Sequence, residues 1–136
     1  MTLPPDLAAL ADKKFVALTT FRKSGAAVET TVWIGRDGDS LVVTTPSGSG
    51  KVKRLRKDAR ISLRPSTRRG NVDTSVPPVA AVAEVVEGRE AMYRLDSVMG
   101  DKYRLEYRVV MGVERLLRRE APPRVMLRIT AAGHAA

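Results

Sequence analysis

Residues 21–70 read FRKSGAAVETTVWIGRDGDSLVVTTPSGSGKVKRLRKDARISLRPSTRRG, and the punctuation inside this stretch decides the fold. Val28 to Ile34 is a β-rich run behind the loop RKSGAA, whose Ser24-Gly25 suits a hairpin, and Phe15 to Phe21 supplies the other arm. Arg36-Asp37-Gly38-Asp39 marks a second reversal and leads into Leu41 to Thr45, so three antiparallel strands are expected in sequence. Past the small-residue turn PSGSG, the segment KVKRLRKD places Val52 and Leu55 on one helical face and cations around the rest, with Ser49 as N-cap. Arg60 to Arg64 then returns to strand alternation, with Ile61 and Leu63 inward.

Outward from this block, Pro4 to Asp12 has Pro at a helix start, an early acid in Asp6, and Leu7 and Leu10 on one face. Residues 65–78 form a long polar loop, and Val79 to Val86 reads as a buried strand bounded by Gly88. The pattern from Arg89 to Arg119 is helical, with breaks expected near Gly100 and Gly112. Met92, Leu95, Val98 and Met99 form one stripe, and Leu116 and Leu117 a later one. Arg124 to Thr130 closes the chain as a strand with Val125, Leu127 and Ile129 alternating. Six strands, short inserted helices and no βαβ rhythm predict an α+β, mainly β fold or small barrel, with residues 1–136 as a single domain.

A chain of 136 residues with 43% hydrophobic residues can bury one core without disulfides, and it contains no Cys. Thiol nucleophiles and thiolate metal sites are thereby excluded, and a reducing, cytoplasmic setting is expected. The start MTLPPDLAALADKKF lacks the basic, apolar, small-residue order of a signal peptide, and no apolar run is long enough for a membrane helix. The single His, His134, has no partner for a histidine metal cluster and argues against a Ser-His-Asp triad. No metal and no membrane partner are expected.

Charge is more informative. Between Lys51 and Gly70 stand nine basic residues and one acid, Asp58, so this window carries +8 of the chain's +9, and the remaining 15 basic and 14 acidic residues nearly cancel. Such a window reads as an anion site, for a nucleic acid, a membrane surface or a phosphorylated small molecule. Around Gly48 to Leu63, a small-residue turn lets a phosphate approach the backbone, a helix start aims N–H groups at it, and Lys51 adds a charge-assisted contact. The motif is not a Walker A loop, because no Gly stands five residues before Gly50 and Val52 occupies the place of the magnesium-binding Ser or Thr. From this segment alone, the solvated face of an amphipathic helix is an equally good reading. No aromatic residue lies between Lys51 and Gly70, so the window offers no base stacking and no nucleic-acid partner is expected.

The succession VETTVWIGRDGDSLVVTT, GSGKVKRLRKDARISLRP and a short RRG loop resembles the flavin-reductase-like proteins of the pyridoxamine-phosphate-oxidase superfamily, and most of all the F420-dependent enzymes of actinobacteria. The TTFRKSG opening, the T-V-W strand, the S-x-K-x-x-x-L helix and the terminal VMLRIT occur in that family's order, from Lys14 to Thr130. The resemblance implies a six-stranded split β-barrel, the FMN-binding split barrel, forming a homodimer with a flavin or deazaflavin at the subunit interface. By matching position, Thr30, Thr31, Val32 and Trp33 would line the ring, largely through backbone. Thr44, Thr45 and Ser49 would follow the ribityl chain and phosphate, and Lys51, Arg54 and Lys53 would meet the phosphate. Relatives that bind FMN commonly carry Arg before the Lys, where this chain has Gly50. The resemblance therefore favours F420 over the alternative, FMN, and a bulkier anionic tail that Lys57, Arg68 and Arg69 would meet. It implies an oxidoreductase acting on an unsaturated or conjugated small-molecule substrate. The cofactor carries the hydride chemistry, so a chain poor in acid-base side chains is no obstacle, and the catalytic residue stays unassigned. Tyr103 and Tyr107, four apart on one helical face, read as packing residues, and Trp33 reads equally well as a core aromatic.

Overall fold

The computed structural model describes residues 3–117 and 124–132, with only the backbone of 106, 108 and 110–117. Helix α1 (Pro5–Ala11) begins with Pro at its first position, and it buries Leu7 and Leu10. The strands are β1 (Phe15–Phe21), β2 (Ala27–Trp33), β3 (Gly35–Asp37), β4 (Ser40–Pro46), β5 (Arg60–Ser66), β6 (Val79–Val86) and β7 (Arg124–Ala131). Helix α2 (Gly50–Lys57) stands between β4 and β5, and α3 (Arg89–Leu117) between β6 and β7.

All seven strands form one antiparallel sheet in the order β2-β1-β5-β6-β7-β4-β3. The two edge strands, β2 and β3, are joined by Ile34 alone. In a flat sheet, strands at these two edges would stand roughly 29 Å apart at about 4.8 Å per strand spacing, whereas the two chain steps across a single linking residue reach only about 7 Å. The sheet is therefore curled until its edges meet, which is a barrel. Among the described residues no ladder joins β2 to β3 or β4, so the barrel is split along that seam.

Each face of the curled sheet has its own core. Inside, Val16, Leu18, Val32, Ile34, Leu41, Val43, Ile61, Leu63, Leu127 and Ile129 pack together with Leu7 and Leu10 of α1 and Leu55 of α2. Outside, Val42 and Met126 meet Leu95, Met99, Tyr103 and Tyr107 of α3, with Trp33 at the margin. Gly35 is the point of closest approach: a Cβ there would lie 2.6 Å from Val98 Cγ1.

Most predicted elements stand within two residues of their expected bounds, and three expectations need correcting. The first three long strands are not a meander, because β4 turns back on β3 and pairs with β7 rather than β2. The seventh strand, β3, has three residues, too few for any periodicity to reveal. In α3 the backbone breaks at Arg104 (φ 49°, ψ −123°), not at Gly100, through which the helix runs. The stripe of Met92, Leu95, Val98 and Met99 faces the outer core as expected. The side chains of Leu116 and Leu117, and His134, lie outside the described residues.

Candidate functional site

Ser49 sits in extended backbone (φ −69°, ψ 157°) and caps α2: its hydroxyl accepts from the Val52 N–H at 3.4 Å and lies 3.2 Å from Thr45 Oγ1. The first turn of α2 carries no acid. Lys51 is half-buried in that turn, while Arg54, one turn on, donates from Nε to Thr20 Oγ1 of β1 at 2.7 Å. The Arg54 guanidinium lies back over the helix start, so a Cβ on Gly50 would stand 2.7 Å from its Nη1. Nη1 is the far end of a flexible side chain, so a side chain at position 50 would be met by a shift of Arg54. Across the turn, Arg124 of β7 is registered opposite Pro46 and donates from Nε to Thr44 Oγ1 at 2.8 Å. Burial pushes the Lys51 ammonium below the ordinary lysine range, and Arg54 and Arg124 push it further. A lysine whose charged neighbours are cations is suited to an anion.

The remaining predicted residues divide by face, because paired residues on neighbouring strands share one side of a sheet. Thr30, Val32 and Thr45 alternate with the inner core: Val32 belongs to it, and Thr45 is buried against Ser49. Thr31, Trp33 and Thr44 belong to the outer face, with Arg124. The Thr30 hydroxyl is buried without a hydrogen-bond partner, a polar atom that a ligand or water would satisfy. Lys53 points elsewhere; it is exposed, about 160° round the helix from Lys51.

The basic window is thereby dispersed rather than continuous. Arg56 pairs with Glu87 at 2.5 Å, Arg60 with Asp58 at 2.8 Å, Arg64 donates to the Val76 carbonyl at 2.9 Å, and Arg68 lies over the Phe15 ring. Only Lys51 and Arg54 of that window gather at the helix start, and the third cation, Arg124, comes from outside it. Sequence reading missed Arg124 because a cation opening a strand carries no motif; its significance arises from the register that sets it opposite Pro46.

At the other end of the outer face, Trp33 stacks on Tyr103 with ring centroids 5.0 Å apart and meets Tyr107 at 5.8 Å. The Tyr103 hydroxyl accepts from the Ile34 N–H at 3.1 Å and donates toward the Lys14 carbonyl at 2.6 Å, while Tyr107 donates to Asp96 Oδ1 at 2.7 Å. The 67–70 turn closes over the neighbouring edge, where a Cβ on Gly70 (φ +84°) would stand 3.2 Å from Thr31 Oγ1. The outer face of β2 is thus bordered by that turn at Thr31 and by α3 at Trp33.

No family model and no curated protein matches the chain. Solved structures do, and they define its class: the fold is the split barrel of pyridoxamine 5'-phosphate oxidase-like proteins. An F420 reductase superposes with a TM-score of 0.59 at 18% identity, covering 94% of each chain. A protein related to general stress protein 26, of the pyridoxinephosphate oxidase family, from Clostridium acetobutylicum gives 0.60 at 18% identity, over 93% of this chain and 80% of that one. HutZ, the heme storage protein from Vibrio cholerae, gives 0.65 at 15% identity, over 96% and 91%.

Proposed function

We propose that this chain is an F420-dependent oxidoreductase that holds the cofactor's phosphate-bearing tail at Lys51 and Arg54 and reduces an unsaturated or conjugated small molecule. Neighbours of this fold include a reductase and a storage protein, so the fold alone does not choose between functions. The observation that carries the choice is the capped start of α2, where a half-buried Lys51 lies in the repulsive field of Arg54 and Arg124. An anion of phosphate type relieves that repulsion, and the α2 N–H groups add to its binding.

The residues fit the tail end of such a cofactor. They also fit its middle, where Thr45 and Ser49 line the turn. At the ring end Trp33 already has aromatic neighbours in Tyr103 and Tyr107, so the backbone of β2 from Thr30 to Trp33 is the surface offered to a ring. A bound deazaflavin supplies the hydride. The chain's part is to neutralise the tail, orient the ring along β2 and exclude water from its outer face. FMN is the second cofactor choice. Gly50, at the position where FMN-binding relatives commonly carry Arg, favours F420.

The same reading includes a cytoplasmic homodimer, the second copy completing the groove. No helix among the described residues is long and apolar enough to cross a membrane, and Leu105 and Val109 stand exposed along α3. The deciding experiment titrates apoprotein with F420 and FMN in parallel, following quenching of Trp33, the only Trp. F420 is expected to bind more tightly. Tighter FMN binding would falsify the F420 preference, and binding of neither overturns the cofactor reading. Sedimentation should give a dimer at micromolar protein, and a monomer with cofactor bound rules out an interface-built groove.

A further inference from the structure

Along β7, Arg128 and Thr130 follow Met126 on the outer face of the sheet, past the last residue of that strand in the outer core. They line a groove of about 680 Å³, with Asp37 to Ser40 on one side and Glu90 and Arg94 of α3 on the other. That volume lies within the roughly 300–1,000 Å³ of small-molecule sites. The groove opens at the Ser40 end of β4, whereas α2 follows the Pro46 end, roughly 20 Å away along the strand.

Part of the groove is complete within the fold. Both Asp37 oxygens are taken by Arg94, whose Nε donates to Oδ2 at 2.9 Å and Nη2 to Oδ1, and Ser40 Oγ donates to the Asp37 carbonyl at 3.0 Å. Arg128 is different. It is partly buried opposite Val42 on β4 and Glu84 on β6, yet it makes no hydrogen bond or ion pair among the described residues. Its charge still reaches Asp37, where it adds to the larger effect of Arg94 in holding that carboxyl below the ordinary range. On the other side Glu90 makes no hydrogen bond or ion pair among the described residues either, and Asp39 stands at the turn. A simple carboxylate on Arg128 would gain a forked contact but stand in the field of Glu90 and Asp39, and a simple amine would meet two guanidinium groups. A molecule carrying both charges satisfies both walls.

We propose that this groove is a second ligand site, which binds a small zwitterion with its carboxylate on Arg128 and the Thr130 hydroxyl and its ammonium toward Glu90 and Asp39. The site is separate from the α2 start and does not depend on what binds there.

The test follows backbone amide shifts of the full chain, titrated at pH 7 and constant ionic strength with glycine, 4-aminobutyrate and 6-aminohexanoate, and with butyrate and butylamine as singly charged controls. At least one zwitterion should move the amides of 37–40 and 128–131 and bind about tenfold or more tightly than either control. Arg128→Gln and Glu90→Gln should each weaken that binding by about fivefold or more, while Lys51→Met leaves it unchanged. Melting curves check that each variant is folded. If Arg128→Gln does not fold, Arg128→Lys replaces it and should also bind more weakly, because an ammonium lacks the fork. Equal binding of zwitterions and controls, shifts confined to residues 49–54, or wild-type affinity in both folded variants would each overturn the proposal. Failure of F420 to bind leaves these readouts in place, so the two readings fail separately.

Discussion

Lys51 and Lys102 are both half-buried, and burial pushes both ammonium groups below the ordinary lysine range. Their surroundings have opposite sign. Lys102 Nζ donates to the carbonyls of Ala11 at 2.7 Å, Lys13 at 2.6 Å and Ile34 at 2.6 Å, which uses all three of its donors. Lys51 lies instead in the field of Arg54 and Arg124. A lowered pKa alone would rank the two lysines together. Their neighbours separate them: an ammonium enclosed by carbonyls is complete within the fold, and one set among cations is suited to an anion.

Position reinforces the contrast. Lys102 and Tyr103 both bind the backbone of Ile34, the single residue that carries the chain from one sheet edge to the other. They fasten the barrel closure to α3 and to the end of α1. Removing Lys102 should therefore produce the largest loss of stability among the variants considered. Lys102→Met leaves three carbonyls without their charged donor and should cost roughly 3 kcal/mol in urea unfolding, with phosphate affinity intact in the folded protein. A variant as stable as wild type would contradict the structural reading of Lys102.

Lys51→Met should do the reverse. It relieves a burial cost and a cation-cation repulsion, so stability should hold or rise slightly, while F420 binding falls by about 1.5–3 kcal/mol. Arg68→Gln, whose guanidinium lies over Phe15, should lose much less. Similar losses at both positions, together with steeply salt-dependent binding of duplex DNA, would instead identify a nucleic-acid surface.

A third variant sharpens the Lys102 side. Tyr103→Phe keeps the ring stacked on Trp33 but removes the acceptor of the Ile34 N–H, a buried contact, and should cost about 1–2 kcal/mol. Trp33 emission in the native state should barely change, since the aromatic neighbour remains. A large change in emission would show that the hydroxyl, and not the ring, sets the Trp33 environment.

The two regions also differ in how far the sequence disclosed them. The α2 side was legible because its features are local: a capping Ser, a small-residue turn, and apolar residues Val52 and Leu55 three apart, as α-helix geometry requires. Strand positions were legible for the same reason, since alternation is written within each strand. Pairing is not local. Nothing in Leu41 to Thr45 states that it turns back on the short β3 and takes its long-range partners in β7, 80 to 88 residues on, rather than in β2, and the place of Arg124 follows from that pairing. The Lys102 clamp was illegible on the same grounds, because its three acceptors are backbone atoms of residues 68 to 91 positions earlier. Backbone acceptors leave no trace in side-chain composition.

The smallest expected effect lies in the pH dependence, and it separates the two lysines within one protein. Both have folded-state values lowered from 10.5, their ordinary value. Below the folded-state value each lysine is charged in both states, and its full cost is present. As pH rises from there toward 10.5 the folded protein releases the proton first, the unfolded chain binds more protons, and stability increases with pH. Above 10.5 both states are neutral and the gain is complete. Because both side chains are partly solvated, each contribution should be on the order of a few tenths of a kcal/mol. Saturating phosphate acts on one of them only: it supplies Lys51 with an anion, favours its charged form, and should cancel or reverse the Lys51 part of the slope while the Lys102 part persists. Lys51→Met should remove the same part without phosphate, and adding phosphate to that variant should leave its slope unchanged. Unfolding free energies across this range, with and without phosphate, measure the difference, and a wild-type slope indifferent to phosphate would mean that Lys51 does not hold the anion.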